Sequence, residues 1–232
     1  MDYPYYPPGV AIPAYRPNVT PLLVILASFG IILGAVLSFA LVLARRLRPQ
    51  FCNASASDQS RFLWFVLCYF VLNHATLAGS QSLVAQLWKE YALSDSRYLT
   101  SDPFTLCVEA VTVVAWGPLC WATAVSIVQG SGSRYPLQML ICLAHLYGVA
   151  LYYGTVGAEV LLHGVSYFRP EPFYVWVYFI GMNAPWVLVP AAVLYDSFQK
   201  IQDAVAGAAK TAALMQPSSR QSTTRAEPKK LR

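Results

Sequence analysis

From Thr20 to Ala44 the chain carries no charged side chain, and Arg45, Arg46 and Arg48 end the run. At 1.5 Å per residue a helix of that length spans about 36 Å, enough for a hydrocarbon core of about 30 Å. In that medium the backbone must pair its own polar groups, so the run is expected to be helical. Similar apolar stretches recur at about 62–87, 103–129, 135–160 and 173–195. Only 12% of the residues are charged, against about 25% in a soluble domain. A chain of 232 residues has room for one bundle. The expected fold is all-α, a five-transmembrane-helix bundle over residues 20–198. A Tyr/Pro-rich arm precedes it at 1–19, and a basic, partly disordered tail follows at 199–232.

The arm lacks a basic region ahead of an apolar core, so it does not read as a signal peptide. Tyr3, Tyr5, Tyr6 and Tyr15 suit a segment at the membrane interface. Arg45, Arg46, Arg48, Arg61, Arg134, Lys200, Lys210 and the tail fall on one side of the predicted bundle. Arg16, Lys89, Arg97 and Arg169 fall on the other. Positive charge collects in the cytosol, which puts the N-terminus in the lumen and the C-terminus in the cytosol. The final Lys229-Lys230-Leu231-Arg232 looks like a dilysine retrieval signal, read in the cytosol, so the expected home is the endoplasmic reticulum membrane. The net charge of +5 therefore reports topology, not a nucleic-acid partner. The five cysteines are scattered, with no C-x-x-C pair, and read as small hydrophobes, not as a zinc or disulfide framework.

The third apolar stretch contains a carboxylate. Glu109, Thr112 and Trp116 fall on one helical face at i, i+3 and i+7. A carboxylate at membrane depth is costly unless it faces the bundle interior, so Glu109 is a candidate functional residue. His74, beside Asn73 and Thr76, places a second titratable group in the second stretch. His145, Gly148 and Tyr152 share a face of the fourth, and Asn183 and Trp186 share one in the fifth. His163 is expected in a solvated loop. Gly117-Pro118 should kink the third helix, and Pro185 should loosen the fifth.

Several stretches together resemble the emopamil-binding protein family, the sterol Δ8-Δ7 isomerases. They are Leu63-Trp64-Phe65 to Cys68, Gln86-Leu87-Trp88-Lys89-Glu90-Tyr91, Asp95-Ser96-Arg97-Tyr98, Phe104 to Glu109, Trp116-Gly117-Pro118-Leu119, Leu146-Tyr147-Gly148, and Tyr178-Phe179 with Met182-Asn183-Ala184 and Trp186. They keep the family's order over about residues 62–195. The resemblance implies a five-helix bundle with an intramembrane lipophilic cavity, and homodimers formed in the family leave a homodimer open here. It implies chemistry in which a ring double bond is protonated to a carbocation and a neighbouring proton is then lost. On this resemblance His74, Glu109, Asn183 and Trp186 are the catalytic candidates. Thr112, Trp116, Tyr98, Tyr147 and His145 are the substrate-binding candidates. A buried His or Glu can be tuned to carry a proton, and an indole face stabilises a cation.

The departures from the pattern matter as much. The family's second helix reads His-x-x-x-Glu-Gly, and here Ala78 stands at the glutamate. Val149 follows Tyr147-Gly148 where the family usually has an acid. The expected function is therefore an isomerase or cyclase on a terpenoid, meroterpenoid or sterol-like polycycle, in specialised metabolism. The alternatives are a conventional sterol Δ8-Δ7 isomerase, and a non-enzymatic binder of sterols or amphiphilic amines using Glu109 with Trp116, Trp121, Trp176 and Trp186. No phosphate loop, nucleophile elbow or haem motif is present. Proton-shift chemistry needs no cofactor and no metal, and the expected partners are a lipophilic substrate and the bilayer.

Overall fold

The computed structural model describes residues 4–67 and 77–215. Tyr3, Cys68, the polar cluster 73–76 with His74, and the tail with its dilysine signal lie outside the described residues. All regular elements among the described residues are helical. They are α1 (Leu22–Leu47), α2 (Ala56–Leu67), α3 (Leu83–Tyr91), α4 (Arg97–Thr100), α5 (Pro103–Val128), α6 (Arg134–His163) and α7 (Tyr174–Met215). A 3-10 turn, Pro49–Asn53, joins α1 to α2. Among the described residues four helices are long and apolar enough to cross a membrane: α1, α5, α6 and α7.

The helix ends follow local chemistry. Asp102 caps α5, its carboxylate accepting from the Thr105 N–H at 2.8 Å, and Pro103 occupies the first turn, where no donor is needed. Gly130 and Gly164 close α5 and α6 with φ of 65° and 66°, a conformation that costs glycine little. The second apolar stretch does not run unbroken to residue 87. The chain turns at Ala78-Gly79, and α3 starts afresh with Ser82 accepting from the Ala85 N–H. The fifth helix overruns its expected end near Tyr195 and continues to Met215. The Ala-rich sequence beyond Asp196 has high helix propensity and extends a helix already nucleated by the packed turns before it.

Prolines shape both long helices at the site. Pro118 has no N–H to give the Val114 carbonyl. The helix widens into a π turn over Thr112–Trp116, with the Gly117 N–H reaching back five residues to the Thr112 carbonyl. It then resumes as an α-helix. Before Pro185, Tyr174–Gly181 is likewise π-wound, with the Met182 N–H on the Val177 carbonyl. At Gly181 a Cβ would come within 3.0 Å of the Trp176 carbonyl oxygen.

One core joins α1, α2, α5, α6 and α7 through Ala44, Phe62, Phe65, Val66, Cys120, Ala124, Ile127, Ile141, Cys142 and Val193. Cys120 and Cys142 are buried as small hydrophobes, whereas Cys52 and Cys107 lie on the outside. A second cluster closes the opposite end. Here the N-terminal arm docks on protein. Tyr5 and Ile12 pack against Ala78, Ala92, Leu93 and Leu99. The Tyr5 hydroxyl donates to the Lys89 carbonyl at 2.9 Å. Lys89, only 1% exposed, donates to the carbonyls of Arg16 and Ser80 at 2.8 and 2.9 Å. The Gln86 side-chain oxygen accepts from the N–H groups of Val19 and Thr20.

The fit at Gly79 leaves no room for a side chain, because an added Cβ would stand 2.9 Å from the Ala14 carbonyl oxygen. Gly79→Ala should lower stability by about 1–3 kcal/mol, and Tyr5→Phe by about 1 kcal/mol. Both should read as lower unfolding temperatures of the detergent-solubilised chain. Unchanged melting in both would mean that the arm is not seated as described.

Candidate functional site

The site lies between α2, α5, α6 and α7, under the cap formed by α3 and α4. Two aromatic layers line α6 and α7. In the layer nearer the cap, Tyr152 and Phe179 approach at 5.7 Å between ring centroids, and Tyr98 stands 6.4 Å from Tyr152. Trp88 and Tyr91 pack on Tyr98 at 5.2 Å each. Seven residues along both helices, His145 and Trp186 meet at 5.4 Å, and Trp64 of α2 stands 5.0 Å from Trp186 and 6.4 Å from His145. On α6 those seven residues are two α-helical turns, about 10 Å; on α7 they cross the end of the π winding and the turn before Pro185.

Glu109 of α5 is half-buried and within electrostatic reach of the Tyr91 and Tyr98 phenols. Burial pushes the Tyr91 phenol up to about 12, the carboxylates of Asp95 and Glu109 adding to the effect while a hydrogen bond with Tyr98 opposes it. Burial also holds the Tyr98 phenol well above its usual range, with Tyr91, Tyr152, Asp95 and Glu109 adding. These phenols keep their protons near neutral pH.

Thr112, half-buried one turn beyond Glu109, gives its hydroxyl proton to the Val108 carbonyl at 2.9 Å. Trp116 closes the π turn, half-buried. A π turn adds about one residue to the winding, and one residue is about 100° of rotation. Trp116 accordingly packs against the hydrophobic core. Asn183 is buried and donates to the Phe179 carbonyl at 2.7 Å, which also accepts from the Tyr153 hydroxyl at 3.0 Å. That carbonyl is exposed by the π winding, so Asn183 has a structural task where it stands.

Tyr147 lies on the outer surface of α6, 64% exposed. It is two residues from His145, and positions two apart do not share a helical face. The inward tyrosine of α6 is Tyr152, at i+7 from His145. Trp176 also faces outward at 66% exposure. Trp121 lines a separate apolar cleft of about 450 Å³ with Phe39, Leu43 and Phe62. These two tryptophans are not brought together with Glu109, Trp116 and Trp186 as a cation site would need. His163 ends α6, exposed, with Nδ1 2.9 Å from Glu159 Oε2.

The cap holds an ion pair that spacing alone does not single out. Asp95 and Arg97 are buried, with Oδ2 and Nη2 2.6 Å apart. Burial works against the Arg97 charge, but the Asp95 carboxylate overcomes it and keeps the guanidinium above its usual range. Arg97 Nη1 donates to Thr155 Oγ1 at 3.0 Å, and the guanidinium lies 5.6 Å from the Tyr152 ring centre and 5.2 Å from that of Tyr167. The pair thus ties the cap to α6 just above the inner tyrosines. Asp95→Ala leaves a buried, unpaired guanidinium and should cost about 3–5 kcal/mol. Asp95→Ala with Arg97→Met should recover much of that loss. Equal melting temperatures for the single and double variants would contradict this account.

The family model described as EXPERA (EXPanded EBP superfamily) matches residues 83–197. The chain is similar to the 3-beta-hydroxysteroid-Delta(8),Delta(7)-isomerase of Cavia porcellus, 31% identical over 87% of this chain and 90% of that protein. It is similar to the probable enzyme of the same name from Oryza sativa subsp. japonica, 31% identical over 88% of this chain and 94% of that one. It is also similar to isomeliandiol synthase of Melia azedarach, 34% identical over 53% of this chain and 55% of that protein.

Proposed function

Because the chain belongs to the EXPERA family, the expanded EBP superfamily, and is an isomerase or cyclase working without redox change, we propose a specific course for its chemistry. It moves a double bond, or closes a ring, in a polycyclic lipid by way of a carbocation. The substrate is a terpenoid, meroterpenoid or sterol-like compound, and the setting is specialised metabolism in the endoplasmic reticulum membrane. The N-terminus is luminal and the C-terminus cytosolic.

The observation that carries this reading is Glu109. A carboxylate stands in a membrane-length helix, within reach of the Tyr91 and Tyr98 phenols, in a bundle walled by aromatic rings. Glu109 and His74 are the proton carriers: one group protonates the double bond, and a neighbouring C–H proton is then lost. Trp186 stabilises the cation between these steps with the negative face of its ring, a contribution of about 2 kcal/mol or more in a dry site. Thr112 and Tyr98 help shape the pocket. Ala78, a buried methyl in the turn ahead of α3, stands where the family pattern has a second carboxylate. That loss, with the similarity to isomeliandiol synthase, supports a substrate other than the usual Δ8 sterol. A second reading, a conventional sterol Δ8-Δ7 isomerase, is favoured by the similarity to such enzymes across 87% of the chain.

Lipid profiles of the host with and without the gene separate the two. On the first reading, deletion leaves the sterols unchanged, and a polycycle of the same mass as a missing product builds up. Accumulation of a Δ8 sterol, with rescue of a sterol isomerase-deficient yeast, would establish the second. Glu109→Gln should give the deletion profile with normal expression; retained turnover would rule out its role. Trp186→Leu should slow turnover by about 30-fold, the rate equivalent of about 2 kcal/mol.

A further inference from the structure

A proton shift needs one group that gives a proton and one that takes it. Among the described residues of the membrane-length helices, Glu109 and His145 stand beside the aromatic layers as groups able to give and to take a proton. His163 stands exposed beside Glu159, and Asp196 is paired with Arg61.

His145 has the features of an open proton acceptor. Its Nδ1 is buried and makes no hydrogen bond among the described residues. A buried polar atom without a partner costs about 1–3 kcal/mol, so its retention in a packed wall points to a partner that arrives with the ligand. Its ring is set at 76° to Trp186 and 83° to Trp64. A cation over the Trp186 face is therefore within about one ring's reach of His145. The two indoles also offset part of the cost of an imidazolium in an apolar wall, because an indole attracts a cation through its quadrupole. Trp64, whose own Nε1 is buried and unbonded, holds the imidazole against Trp186 as a positioning residue.

We propose that His145, in place of His74, is the proton acceptor of the reaction, an assignment that rests on the acid–base reading above for Glu109 and revises its second proton carrier. Glu109, protonated, gives its proton to one carbon of the substrate double bond. The π electrons form that C–H bond, and the neighbouring carbon becomes cationic. The Nδ1 lone pair of His145, with its ring proton on Nε2, then takes a proton from a carbon beside the cation. The electrons of the broken C–H bond form the new double bond. Product leaves, and the imidazolium proton returns to the Glu109 carboxylate through solvent. No electron is gained or lost, and substrate and product are isomers.

The test uses the purified full-length chain and, as substrate source, membrane lipids extracted from the host lacking the gene. His145→Phe keeps an aromatic ring against Trp186 but has no nitrogen. His145→Ala opens a ring-sized space. Binding of N,N-dimethyldodecylamine, a lipophilic cation, checks that each variant is folded. The expected result is a loss of turnover of about 100-fold or more in both variants. Imidazole should restore His145→Ala, and thiophene, similar in shape but not a base, should not. Turnover of His145→Phe within about threefold of wild type would overturn the assignment, since a nitrogen-free ring cannot accept the proton. So would restoration by thiophene as good as by imidazole, or failure of imidazole to restore a variant that still binds the amine. Normal turnover by Glu109→Gln would instead overturn the acid–base reading itself, and the His145 assignment with it.

Discussion

In an apolar medium each backbone N–H and C=O must find a partner within the protein, and the rest of this structure depends on how the helix prolines, Pro118 and Pro185 above all, are reconciled with that demand. Pro118 and Pro185 sit in or beside membrane-length helices, and neither can donate. The chain answers with wide turns before both. Gly117 reaches back to Thr112, and Met182 reaches back to Val177. The carbonyl of Phe179 is then served from outside the ladder by Asn183 and Tyr153. The same turns decide which way the following side chains face. Trp116 is carried onto the hydrophobic core, and Trp186 is brought to Trp64 and His145. Backbone satisfaction and site geometry are thus one problem here, as at many wide turns near functional sites.

The end of the bundle under the arm solves a different problem. Lys89, Asp95, Arg97 and Gln86 are all buried there, and burial of charge is tolerated only with partners in place. Asp95 and Arg97 supply each other, and Lys89 is wrapped by the carbonyls of Arg16 and Ser80. The arm is therefore part of the fold. Through Thr155 and the Tyr152 ring the polar cap is linked to the aromatic layer beneath it. One end of the aromatic-walled bundle is thereby closed by paired polar groups.

Much of this was legible residue by residue. The third apolar stretch, expected at about 103–129, is α5 at Pro103–Val128, because hydropathy and length are local properties. His145 and Tyr152 share a face as the helical period requires. Other features were not legible. The i+7 relation of Trp116 to Glu109 assumes uniform winding, which the π turn breaks. Tyr147 lies in a motif shared with a family, yet the phase of α6 turns it outward. The Tyr/Pro arm reads as an interface segment because its tyrosines are amphipathic, while its docking depends on carbonyls and side chains some seventy positions away in sequence.

The sequence by itself determined that apolar helices of membrane length form and where most begin, because length, charge and capping are local properties. It also placed the Glu109 carboxylate within such a helix, and that follows from reading charge against an apolar run. The tertiary structure alone decided which rings meet. Trp64, His145 and Trp186 come from three separate helices, and their contact is set by the rotational phase of each helix after its turns and prolines. The same packing decided that the His145 Nδ1 has no hydrogen-bond partner among the described residues. Hydrogen-bond satisfaction depends on every neighbour at once, and no local pattern in the chain encodes that sum.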